Sequence, residues 1–167
     1  MNPKLIVFTL VTFTHNLFTA IWVGGLISIG LASMPAVKEV LGRGPQTKKL
    51  MNTVQERQRW LVYISIAGLI LTGLLMAQRA PAFEGLFAFS NLYTSLLTIK
   101  HILILIMIAI ALWRSLVFGS RQKSANPSQE KWSARLLLTN IVLGVTVLLT
   151  SAVLTALASN LAGRLSR

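Results

Sequence analysis

Residues 92–118 read LYTSLLTIKHILILIMIAIALWRSLVF, an almost uninterrupted apolar run without an acidic residue. A helix needs about 20 mainly apolar residues to cross the roughly 30 Å hydrocarbon core of a bilayer. This segment is long enough, and comparable runs occupy about residues 5–34, 60–77 and 136–161. The pattern predicts an all-α integral membrane protein, with residues 1–167 forming a single domain that is a bundle of four transmembrane helices.

The composition of the whole chain agrees with a membrane protein. Hydrophobic residues make up 54% and charged residues 12%, where soluble domains are about 25% charged. Cys and Asp are absent, which excludes a disulfide scaffold, a Cys-based zinc site and a Cys nucleophile. The sequence has no phosphate-binding loop, dinucleotide fingerprint or metalloprotease motif. Hydrolases are therefore not indicated, while an oxidoreductase or an electron carrier remains open.

The net charge of +12 is concentrated between the apolar runs. Eleven basic residues fall in the first and third connections, and four fall on the other side of the predicted membrane. The first group is Lys38, Arg43, Lys48, Lys49, Arg57, Arg59, Arg114, Arg121, Lys123, Lys131 and Arg135, and the second is Lys4, Arg79, Arg164 and Arg167. The positive-inside rule then predicts cytoplasmic hairpin loops and both termini outside. We expect the cell inner (plasma) membrane as the location and the lipid bilayer, not nucleic acid, as the partner.

Helix-breaking residues and tryptophans mark the ends of the predicted spans. Pro35 predicts the end of the first span, and Pro81 with Gly85 predicts the end of the second. The polar residues 47–59 could extend the second helix out of the membrane. Tryptophans fall at the predicted cytoplasmic ends of spans, as expected of an aromatic belt. They are Trp60, Trp113 and Trp132.

Two histidines and one lysine lie within the predicted spans, well away from the ends: His15, Lys100 and His101. An ionisable group at that depth costs roughly 2.5–3.5 kcal/mol on insertion scales and is by default a functional hypothesis. His15 lies ten residues past Leu5, and His101 lies nine past Leu92. At 1.5 Å per residue these positions are about 15 and 14 Å deep. Both histidines are therefore expected near the middle of the bilayer, on parallel helices.

A haem b between the first and third spans would use this arrangement. Axial ligands approach the iron from opposite faces, and His is a usual ligand. His15 is one candidate, and Lys100 or His101 is the other, since neighbours on a helix cannot point the same way. Trp22 shares the face of His15 and is a further candidate cofactor contact. The alternative is a structural role, such as a hydrogen bond from His15 to a Thr hydroxyl on another helix.

Copper is the second cofactor that the same residues could bind. Imidazole and thioether groups suit copper, the thioether especially in the cuprous form. Met34, Met76 and Met107 lie in spans, but only Met107 is expected within two turns of the histidines. Met is also a common apolar filler, so packing is the simpler interpretation of all three.

Several stretches resemble the CopD copper-resistance domain. These are His15-Asn-Leu-Phe-Thr-Ala-Ile-Trp22-Val-Gly24-Gly25-Leu26, the loop ending in Glu56-Arg57-Gln58-Arg59 with Leu71-Thr72-Gly73-Leu74 after it, and Tyr93 through Leu96-Leu97 to Lys100. The resemblance covers nearly the whole chain. It implies a compact four-span relative of the larger eight-span CopD proteins, with a role in copper.

His15, Trp22 and Lys100 are also similar to the pattern of HemJ, a haem-containing protoporphyrinogen oxidase family. That resemblance implies haem b held by His15 and Lys100, and so favours Lys100 over His101 as the second ligand. The sequence departs from HemJ between Ile27 and Val37, where the family has an aromatic and basic stretch ending in His. The departure puts the oxidase activity in doubt.

Three functions are therefore open. The first is a haem b redox protein that passes electrons within the membrane, with quinone or other membrane redox subunits as partners. The second is a CopD-like copper transport or resistance protein. The third is a small structural subunit of a larger membrane complex, which short loops would suit.

Overall fold

The computed structural model describes residues 2–77, 89–119 and 127–165. Within them every element is helical, in the order α1 (Pro3–Ile27), a π-helical segment (Ser28–Ser33), α2 (Met34–Leu41), α3 (Pro45–Ala77), α4 (Leu92–Gly119) and α5 (Pro127–Leu165). The turn predicted at Pro81 and Gly85, together with Arg79, Arg121 and Lys123, lies outside the described residues. The all-α fold is confirmed.

Four helical stretches are long and apolar enough to cross a membrane: Pro3–Leu41, Pro45–Met76, Leu92–Leu116 and Lys131–Asn160. Many of their largest apolar side chains point away from the protein, and Phe13 is 62% exposed. Such surfaces are stable in lipid and unstable in water. The predicted four-helix membrane bundle is confirmed. The second spanning helix, α3, also includes the polar residues 47–59, as the sequence suggested.

Local sequence explains where several helices begin and end. Asn2 caps α1, because its Oδ1 accepts a hydrogen bond from the backbone N–H of Lys4 at 3.1 Å. Asn91 caps α4 in the same way through the N–H of Thr94 at 2.9 Å, and the Thr94 hydroxyl accepts from the Asn91 N–H at 3.1 Å. Gly42 ends α2 with φ of 66°, a left-handed conformation that favours glycine.

The helix does not end at Pro35, contrary to the sequence expectation. It widens into the π-helical segment Ser28–Ser33, where the N–H of Met34 bonds to the carbonyl of Ile29, and then continues through Pro35 to Leu41. Proline lacks an N–H and its ring crowds the carbonyl of the preceding turn. A wider turn relieves that crowding, and such π-bulges are a known way for helices to pass an irregularity.

The helices pack as two hairpins. α1 lies along α3 and α4 lies along α5, with shorter contacts between α1 and α5 and between α3 and α4. α1 and α4 are therefore diagonally opposite. The buried apolar core lies mainly towards the end of the bundle that carries the 42–44 turn, which we call the loop end. It includes Trp22, Leu26, Met107 and Ile141.

Candidate metal-binding site

The structure brings His15, Lys100 and His101 together across the bundle. α1 begins at Pro3 and α4 at Leu92, so His15 and His101 lie about 18 and 14 Å along their helices at 1.5 Å per residue. All three side chains are partly buried. They are close enough for the charges of Lys100 and His101 to act on His15, and for Lys100 to act on His101. Diagonal helices thus contribute to one polar cluster.

His15 is held by a hydrogen bond to the neighbouring helix α3. Its Nδ1 lies 2.8 Å from Oγ1 of Thr72, and the same Oγ1 lies 2.6 Å from the carbonyl oxygen of Gly68. A carbonyl only accepts, so the single hydroxyl proton of Thr72 goes to Gly68. The hydroxyl oxygen therefore accepts from Nδ1–H of His15. The lone pair of the neutral ring is then on Nε2.

His101 reaches the same tautomer by a different contact. Its Nδ1 lies 2.7 Å from the carbonyl oxygen of Leu97, one turn earlier in α4. Because the carbonyl can only accept, Nδ1 of His101 carries the proton. In metal sites the ring nitrogen that does not bind the metal usually donates such a bond, which fixes the tautomer and the ring orientation. In both histidines Nδ1 is thus the protonated nitrogen, and Nε2 carries the lone pair.

Three buried threonines lie in the same half of the bundle as the histidines. Thr72 is 6% exposed, Thr94 2% and Thr98 1%, and all three lie in this half of the bundle. Gly73 leaves space beside His15, since a Cβ there would be 3.8 Å from the imidazole Cε1. Threonine hydroxyls supply hydrogen bonds without adding charge. The cluster is a group of polar side chains within apolar helices.

Two further predicted residues lie outside this cluster. Trp22 is 2% exposed and belongs to the apolar core, seven residues and so about 10 Å along α1 from His15. Its Nε1 has no hydrogen-bond partner among the described residues. Met107 is 1% exposed and packs near Gly144 and Val23, as the packing interpretation expected.

The donor set limits what could bind here. Within the described ranges, no three side chains of His, Cys, Asp or Glu gather in one place. A site in this cluster would therefore rest on two imidazole nitrogens, with the Lys100 amine beside them. Two neutral imidazoles suit copper, whereas magnesium and calcium prefer oxygen ligands. The residues present fit copper.

Two residues of interest were missed by sequence reasoning. The hydroxyl of Thr72, within the stretch Leu71-Thr72-Gly73-Leu74, bonds back to the carbonyl of Gly68, as Thr side chains in helices commonly do. Arg114 was counted as a loop charge. The structure instead places it within α4, lining a cavity at the loop end. No pattern in the sequence marks that cavity.

These features define a multi-pass membrane protein with a pair of intramembrane imidazoles. The family model of Copper resistance protein D matches residues 53–154, and the chain belongs to that family. The matched range contains Thr72, Lys100 and His101 and begins after His15. Comparisons with curated proteins and with solved structures gave no match.

Proposed function

We propose that this protein handles copper within the membrane, binding a copper ion between Nε2 of His15 and Nε2 of His101. The observation that carries the proposal is the tautomer of the two rings. Each ring donates from Nδ1, to Thr72 in one case and to Leu97 in the other, so both Nε2 lone pairs are available. The choice of copper as the metal rests on the family, which is described as one of copper resistance.

The position of the site inside the membrane explains what its residues would do. A bare cation near the bilayer centre is strongly disfavoured, and polar side chains directed into a bundle lower that cost. His15 and His101 would replace the hydration of the copper ion, and Thr72 would keep His15 oriented. The ion is then cargo that stops within the membrane, as a transport or resistance function requires. Lys100 is a further candidate ligand, through its side-chain amine.

Haem b is the alternative occupant. The two Nε2 atoms and the Lys100 amine are also groups that could hold a haem iron. If haem were bound, it would supply electron transfer, and His15 with Lys100 or His101 would hold the iron. The matching family is described by copper, so we place haem, quinone and redox partners second.

Metal analysis of the purified full chain tests the proposal. Protein in a mild detergent is loaded with cuprous copper under a reductant and washed, and copper and iron are then measured with a visible spectrum. We expect about one copper per chain and no haem absorption. His15→Ala and His101→Ala should lose the copper. Thr12→Val is a matched control on α1, because its hydroxyl bonds only along its own helix, to Phe8.

Other results would contradict the proposal in distinct ways. A sharp α band in the reduced spectrum with one iron per chain would establish haem b in place of copper. Copper retained by both histidine variants would show that it binds elsewhere. A chain without either metal would leave the structural-subunit function as the better account.

A further inference from the structure

A second polar site lies at the loop end, separate from the histidine cluster. A cavity of about 70 Å³ opens there between α1, α3, α4 and α5. Its polar lining includes Gln58, Arg59, Tyr63, Arg114 and Asn140. A cavity of this size has room for several water molecules or for one small oxyanion.

Several polar atoms around this cavity have no partner among the described residues. Asn140 is fully buried at 0% exposed, and neither its Nδ2 nor its Oδ1 has a hydrogen-bond partner. The same is true of Nε2 of Gln58 and Nε of Arg114. Each buried polar group without a partner costs about 1–3 kcal/mol. These groups are available to a ligand that enters the cavity.

The charges around the cavity indicate that such a ligand would be negatively charged. Two guanidinium groups, Arg59 and Arg114, line it and are close enough to repel each other. Among the described residues, the lining contains no acidic side chain. Arginine offers a planar set of donors that matches phosphate oxygens. An anion with several oxygen acceptors would pair with both arginines and with the amide groups.

The depth of the cavity indicates where such an anion would come from. Arg59, Arg114 and Ser133 line the cavity and are the sequence neighbours of Trp60, Trp113 and Trp132. These tryptophans are 69%, 62% and 59% exposed. Exposed tryptophans on membrane helices typically lie at the level of the lipid headgroups. The cavity is then at the level of the lipid phosphates.

We infer that this cavity binds a phosphate group, with Arg59 and Arg114 as its charge partners and the side-chain amides of Gln58 and Asn140 as further donors. Basic pockets between membrane helices are suited to anionic lipid headgroups. The phosphate can belong to an anionic lipid or be free inorganic phosphate. The site does not depend on copper binding at His15 and His101.

Thermal unfolding of the full chain in a neutral detergent tests the inference. The probes are inorganic phosphate against chloride at equal ionic strength, and phosphatidylglycerol against phosphatidylcholine. At one hundred times the dissociation constant, a ligand should raise the midpoint by about 5 °C or more for a chain of this size. A response to phosphatidylglycerol alone identifies the lipid as the source, and a response to inorganic phosphate identifies free phosphate.

Three variants make the test specific. Arg114→Gln should weaken binding by about tenfold or more, the usual loss for a hydrogen bond to a charged group. Asn140→Leu should raise the midpoint without ligand, since it removes an unpaired buried amide, and reduce the response to phosphate. Arg57→Gln, an exposed neighbour on α3 outside the lining, should behave as the wild type.

The inference is overturned if neither probe raises the midpoint of the wild type. It is equally overturned if Arg114→Gln and Arg57→Gln respond alike. His15→Ala should keep the full response to phosphate, so failure of copper binding and failure of phosphate binding are separate results.

Discussion

Replacing Thr72 by Val tests whether the hydrogen bond between α3 and α1 fixes the tautomer of His15. Thr and Val have nearly the same shape, so Thr72→Val removes the hydroxyl and little else. The hydroxyl is the acceptor for Nδ1 of His15 at 2.8 Å, and Thr72 is only 6% exposed. The variant leaves the Nδ1–H of His15 without its partner, and nothing then fixes Nε2 as the free nitrogen.

The expected magnitude follows from two independent considerations. A buried donor left without an acceptor costs about 1–3 kcal/mol. Loss of a partner that orients a metal-binding histidine typically costs 10–100-fold in metal affinity, which is about 1.4–2.8 kcal/mol. The first figure is a loss of folding stability, and the second is a loss of metal affinity. We expect Thr72→Val to weaken cuprous copper binding by about 10–100-fold.

A competition titration against a cuprous chelator measures this affinity in the purified chain. Thr72→Ser keeps a hydroxyl and should bind nearly as well as the wild type. Thr146→Val is the matched control, since the Thr146 hydroxyl is exposed and bonds only along its own helix, to Val142. Equal affinity of Thr72→Val and the wild type would refute the reasoning, as would an equal loss in Thr146→Val.

Further predictions concern the packing of the helices, the turn at Gly42 and the copper tolerance of the cell. Gly68→Ala should destabilise the bundle by about 1–3 kcal/mol in detergent unfolding, because its Cβ would clash with the Phe18 ring. Gly24→Ala should be neutral or stabilising, since none of the described residues lies within 4 Å of its Cβ. Gly42→Ala should cost about 1–3 kcal/mol in the same assay, since Gly42 has φ of 66° and ψ of −160°, a conformation almost confined to glycine. Deletion of the gene should change copper tolerance and cell copper content, and His15→Ala should fail to restore them; unchanged copper tolerance would count against the copper account.

The membrane fold could be predicted because it follows from composition along the chain. Long apolar runs such as residues 92–118 have few alternatives to a spanning helix. The similar depth of His15 and His101 also followed from counting residues along helices. The continuation of the helix through Pro35 could not be predicted in the same way. The π-helical segment Ser28–Ser33 relieves the crowding between the proline ring and the preceding turn, and no sequence pattern marks it.

The partners of the site residues depended on helix rotation, which the sequence does not encode in a simple pattern. An interhelical bond from His15 to a Thr was considered, but the choice of Thr72 required the packing of α1 on α3. The burial of Arg114 and Asn140 around one cavity required all four long helices to be in place. Such contacts arise from the tertiary arrangement, and periodicity alone cannot supply them.

X-ray absorption at the copper edge, on copper-loaded full chain, tests the central claim most directly. The account predicts nitrogen ligands with the outer-shell scattering of two imidazole rings. Coordination dominated by sulfur, or a spectrum without imidazole scattering, would contradict the assignment of copper to His15 and His101.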